Sequence, residues 1–134
     1  MIEQLSMFPA DVEAFTFRGQ VTKADYDAVF LPAVVDGLKR HPKLRLYYEI
    51  APDFMGFDVG AMWDDFAVGM EHITRWDRVA VVTDVEWIER ATQLFGMILP
   101  SSVRVFPTSG TAAARTWISA TSSSGIRALE PRVG

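Results

Sequence analysis

Four carboxylates crowd one short stretch of this chain: Asp53, Asp58, Asp64 and Asp65. Acids so grouped could hold a divalent cation or divide acid and base work between them. They fall where a predicted strand feeds a predicted helix. In an open parallel sheet that junction is the carboxyl end, where ligands bind. The favoured reading is plainer: Asp58 caps the helix, and Asp64 and Asp65 are solvated acids near the positive end of its dipole. Other reactive constellations fail. There is no Cys, so disulfides, thiol nucleophiles and thiolate metal sites are excluded together. His41 and His72 stand far apart in sequence, outside any recognisable metal spacing. No GxSxG elbow, GxGxxG turn or GxxxxGK[ST] loop occurs. No metal and no cofactor is expected.

The same junction carries a second pattern, FMGFDVGAMW, spanning Phe54 to Trp63. Strand-to-helix turns are usually polar, and this one holds two Phe, two Met and a Trp. Single aromatics at helical spacing, such as Trp63, Phe66, Met70 and Trp87, are most often plain core. Phe54, Met55, Phe57 and Met62 exceed what one helical stripe can bury, and Met lines adaptable pockets. The surplus points to a small apolar cavity or to an interface with a second chain, a protein partner or a homodimer. Phe57, Met62 and Trp63 are the expected wall, with Phe66 and Trp87 as floor. Gly56 and Gly60 would let the backbone turn there.

The elements that must position these residues follow from hydrophobic period. Ile2–Met7 and Val12–Gly19 read as an antiparallel hairpin, with Phe15 and Phe17 on one half-buried face. Thr22 caps a helix whose apolar ladder is Tyr26, Val29 or Phe30, Ala33 or Val34, and Leu38. Pro32 should kink or divide it. Leu44–Ile50 is a strand. A helix from about Val59 to Trp76 presents Val59, Trp63, Phe66, Met70 and Ile73 as one stripe. Arg78–Thr83 is a strand buried on both faces, and Thr83 with Glu86 has capping-box spacing. The helix after it turns Trp87, Ile88, Ala91, Leu94, Phe95 and Ile98 inward and stops at Pro100. Ser102–Phe106 is the last strand. The last helix, capped by Thr108 or Ser109, turns Ala112, Ala113, Trp117 and Ile118 inward. The order β-β-α-β-α-β-α-β-α predicts an α/β domain over 1–120 with a mixed, mostly parallel sheet, and a frayed tail over 121–134.

The 134-residue chain is 49% hydrophobic with a formal charge of −4. It suits one domain with a real core. It has no basic run or basic helix face for nucleic acid, and no apolar stretch long enough for membrane insertion. Its first residues lack the pattern of a secretory signal. A cytoplasmic protein is expected.

Much of the chain, from about residue 1 to 119, resembles the SpoIIAA-like (STAS-like) family of small bacterial proteins. The resemblance is carried by Leu46-Tyr47-Tyr48-Glu49-Ile50, by the block Gly56 to Phe66, by Met70-Glu71-His72 and by Trp76 to Asp84. Val103-Arg104-Val105-Phe106 and Ala114-Arg115-Thr116-Trp117-Ile118 continue it. It implies the α/β fold of anti-sigma-factor-antagonist domains, similar to lipid-carrier domains of the CRAL-TRIO kind, and implies no established enzymatic activity. Those antagonists switch by phosphorylation of a Ser or Thr at the loop entering a helix. Here no Ser or Thr occurs from Lys23 to Ile73, and Asp58 stands at the matching loop. The function expected is a non-enzymatic binding domain with an apolar pocket for a small lipid-like or hydrophobic ligand. The alternatives are a regulatory protein-interaction module without the phosphorylation switch, and a metal-assisted enzyme using Asp53, Asp58, Asp64 and Asp65.

Overall fold

The computed structural model of the chain describes residues 1–72, 74–98 and 102–120, with the side chains at 64–66, 69 and 70 left out of the description. Five strands make the main sheet: β1 (Ile2–Gln4), β2 (Val12–Phe17), β4 (Leu44–Ile50), β6 (Trp76–Val82) and β7 (Ser102–Phe106), in that spatial order. β1 runs antiparallel to β2, with Ile2 opposite Phe17, and every other pairing is parallel. The hairpin and the mostly parallel sheet are those the hydrophobic period predicts. β2 lies inside the sheet, so all six of its residues are buried rather than half of them. Two short strands escaped the sequence reading: β3 (Gln20–Val21) and β5 (Gly56–Phe57) pair parallel outside the main sheet. Two-residue strands have no period to detect.

The first helical run is continuous from 23 to 40 but changes winding. α1 (Lys23–Asp25) opens on a capping box in which Thr22 and Asp25 satisfy each other's backbone donors. A π turn over Tyr26–Phe30 follows, then α2 (Leu31–Arg40) with Pro32 in its first turn. Pro32 has no N–H to give the preceding turn, and the wide π turn before it accommodates that loss without dividing the helix. Tyr26, Phe30, Val34 and Gly37 form its buried line.

α3 (Val59–Glu71) stops short of the predicted Trp76, which instead begins β6 and is 2% exposed. The expected stripe does not face the core. Val59 and Trp63 are 72% and 67% exposed, while Ala61 and Val68 are buried. Gly60 explains this phase: a Cβ there would stand 3.2 Å from Lys23 Cβ, so α3 lies close on α1 along its glycine side. Ile73 and the side chains of Phe66 and Met70 lie outside the described residues. α4 (Glu86–Ile98) buries Ile88 and half-buries Phe95, while Trp87, Ala91, Leu94 and Ile98 are more exposed than its stripe predicts. Thr83 accepts from Val85 N–H at 2.9 Å in a local turn, not in the predicted capping box. Pro100 and the tail 121–134 lie outside the described residues.

The sheet separates two apolar layers. One face carries Phe15, Phe17, Leu46, Ile50, Val79 and Val81 under α2, α3 and α4. The other face carries Val12, Ala14, Tyr47, Ala80, Val82 and Phe106 under α5 (Thr111–Ser119). A 3-10 turn over Thr108–Gly110 precedes α5 and shifts its phase, so Ala114 and Ile118 point inward while Ala112 and Ala113 are exposed. Buried Arg45 ties this layer to the sheet. It pairs with Asp77 at 3.0 Å and donates to the Ile118 and Ala120 carbonyls. Arg78 donates to the Trp117 carbonyl at 2.7 Å. Two guanidinium groups thus satisfy carbonyls at the negative end of α5.

Candidate functional site: an apolar cavity beneath two helices

The two helices on the larger face are drawn apart. α3 leans on α1 through Gly60, as above. α4 lies on the opposite edge strand β7, where a Cβ at Gly96 would come within 3.0 Å of Val103 Cβ. Between them, over β4 and β6, a cavity of about 260 Å³ remains. Strand alternation puts Leu46, Tyr48 and Ile50 of β4 and Val79 and Val81 of β6 on its floor. Trp76 closes one end. Ile88, Ala91, Thr92 and Phe95 line it from α4, and Met62 and Val68 from α3. Met62 and Trp87, 49% and 47% exposed, mark where it meets solvent.

Phe57 joins this cavity to the rest of the aromatic core. β5 holds its backbone, and Val21 pairs with it in register. Its ring stands edge-on to Trp87 at 5.9 Å, to Phe17 at 5.7 Å and to Phe54 at 5.0 Å. Edge-to-face pairs are the preferred aromatic geometry. Gly56, at φ +147°, lets the chain enter β5 with a backbone conformation that side chains rarely adopt.

The predicted site residues therefore divide. Phe57, Met62 and Trp87 line the cavity. Phe54 stands behind Phe57 and packs on the core without lining it. Met55 is 78% exposed, and neither it nor Trp63 lines the cavity. The Phe66 side chain is outside the described residues. The strand floor and Tyr48 went unnamed in the sequence, although alternation along β4 already places Leu46, Tyr48 and Ile50 on one face.

The described acids of the cluster, Asp53 and Asp58, turn to different partners. Asp53 meets Arg18 at 3.5 Å. Asp58 occupies the N-cap position of α3, but its side chain makes no cap bond and instead accepts from Gln20 Nε2 at 2.6 Å. That is a correction to the cap reading: β3 brings Gln20 within reach and diverts the carboxylate. The side chains of Asp64 and Asp65 are outside the described residues. Among the described residues no three His, Asp or Glu side chains approach as a metal ion would need. Nor is any described helix long and apolar enough to cross a membrane.

The family model for SpoIIAA-like proteins matches residues 12–119. Among solved structures, the chain is similar to an uncharacterized protein of the DUF3478 family with a SpoIIAA-like fold from Shewanella loihica PV-4. The TM-score is 0.69 at 23% identity, over 88% of this chain and 92% of the other. No curated protein matches the chain.

Proposed function

The chain belongs to the SpoIIAA-like family, and we propose that it uses the fold as a non-enzymatic binding domain whose cavity takes a small hydrophobic molecule, in the cytoplasm. The observation that carries this reading is the cavity itself: about 260 Å³, walled by aromatic and aliphatic side chains, beside a half-exposed Met and Trp. A cavity of about 150 Å³ lined by aliphatic and aromatic groups holds benzene. The space here suits a ligand somewhat larger than one ring, and is too small for a two-chain lipid. Among the described residues no carboxylate, imidazole, amine or guanidinium lines the cavity, which supports binding without chemistry. A second reading has its own support: exposed Met55, Val59 and Trp63 offer apolar surface to a partner protein.

The test is a titration with N-phenyl-1-naphthylamine, a neutral probe that fluoresces in apolar surroundings. The wild type should bind it in a saturable, one-site manner. Phe57→Ala should weaken that binding severalfold. It should lose less than the ~3–5 kcal/mol of stability that truncating a fully buried Phe removes, because Phe57 is only half-buried. Full loss of stability in the variant, with no probe uptake by the wild type, would mean that the stretch is simply core.

A further inference from the structure

We infer that the ligand of this cavity is an uncharged aromatic molecule rather than the anion of a fatty or aromatic acid, an inference that rests on the binding reading above and narrows it. Two independent features carry it. The first is the wall. Its aromatic members are Phe30, Tyr48, Phe57, Trp76, Trp87 and Phe95. Six aromatic rings bound the space, and edge-to-face or offset contacts with them reward a planar guest beyond simple area burial. Among the described residues the wall offers no cation to hold a charge, only neutral donors: the Tyr48 hydroxyl, the Trp76 and Trp87 indole N–H groups, and Thr92, which already donates to the Ile88 carbonyl at 2.8 Å. A carboxylate inside would lose its hydration without gaining a cation.

The second feature is the charge on the flanking helices. α3 begins behind Asp58, and α4 carries Glu86 and Glu89 in its first turn. The positive ends of these two helices are thus matched with acids of the chain's own. The cations on the neighbouring helices are engaged: Lys23 Nζ lies 2.8 Å from Asp27, and Arg90 Nη2 lies 2.7 Å from Glu86. An anion entering beside Met62 and Trp87 would meet helix ends already matched with acids, and then a dry wall. A neutral guest meets neither obstacle.

A pair of ligands differing only in charge decides the matter: 1-naphthoate and its methyl ester, each used to displace N-phenyl-1-naphthylamine at pH 7. Probe binding, checked first without competitor, reports on the cavity itself. The inference expects the ester to compete at least about tenfold better than the naphthoate, the factor that corresponds to ~1.4 kcal/mol. Naphthoate competing as well as the ester would overturn the inference while leaving the cavity a binding site. Displacement by 1-decanol but not by the ester would overturn the preference for a ring. Absence of probe binding, together with no shift in melting temperature by ester or naphthoate, would overturn this inference and the binding reading together.

Discussion

Glu13 carries a carboxylate into a place with little water. It is 5% exposed on β2, with Gln4 Nε2 donating to it at 3.0 Å and the Arg40 guanidinium 4.0 Å away. Burial pushes its pKa above the ordinary 4.5, and Arg40 and Gln4 offset that only in part. A raised carboxyl favours the protonated form in the folded state. Its contribution to stability is therefore fullest below the unfolded value and is lost as pH rises through the folded value. Glu13→Gln should raise the melting temperature at pH 7, and the gain should shrink towards zero as pH falls to 4.5 and below. A gain independent of pH would show that desolvation of the charge is not its cause. Caps give a second contrast between residues. Thr22→Ala breaks a reciprocal capping box and should cost about 1 kcal/mol in denaturant unfolding. Asp58→Ala removes an exposed side chain that caps nothing and should cost no more than about 0.5 kcal/mol. The sequence alone ranks these two caps alike. Only the neighbourhood of Gln20, supplied by a two-residue strand, separates them.

Helices and strands were legible in the sequence to different depths. Continuous apolar runs such as Val79–Val82 are buried on both faces of a central strand, so their assignment needed no knowledge of partners. The phase of α3 was not legible. Val59 and Trp63 look like an inward stripe, but packing on α1 turns the Ala61 and Val68 line to the sheet. Tertiary approach at a glycine outweighs the periodicity of the helix itself. Two glycine substitutions test this account of how the helices are spread. Gly60→Ala meets Lys23 at its Cβ, 3.2 Å away, where α1 must give by a few tenths of an ångström, so the gain in helix propensity of up to ~1 kcal/mol should roughly cancel against the crowding. Gly96→Ala meets the branched Val103 at its Cβ, 3.0 Å away, and overpacking of about 1–3 kcal/mol should exceed the same gain. Denaturant midpoints should therefore fall for Gly96→Ala and hold for Gly60→Ala. Equal effects would remove the α4–β7 contact as the reason α4 sits where it does.

At the scale of the molecule, one sheet serves two unlike layers. Under α5, small and aromatic side chains close over each other, and Arg45 and Arg78 fasten the helix end. Under α3 and α4, the helices are held at opposite sides and leave a cavity. The sequence announced an apolar surplus around Phe57 but not this asymmetry, because where a surplus goes depends on contacts between elements distant in the chain. The four Trp residues sample both layers. Trp76 and Trp87 line the cavity, Trp63 lies outside its wall at 67% exposure, and Trp117 packs on the opposite face. Their indole N–H signals in a nitrogen–proton correlation spectrum are four reporters at known places. On titration with N-phenyl-1-naphthylamine, the signals of Trp76 and Trp87 should move together and saturate at one equivalent, while those of Trp63 and Trp117 stay in place. Movement confined to Trp63 or Trp117, or none at any of the four, would contradict the claim that this cavity is the binding site.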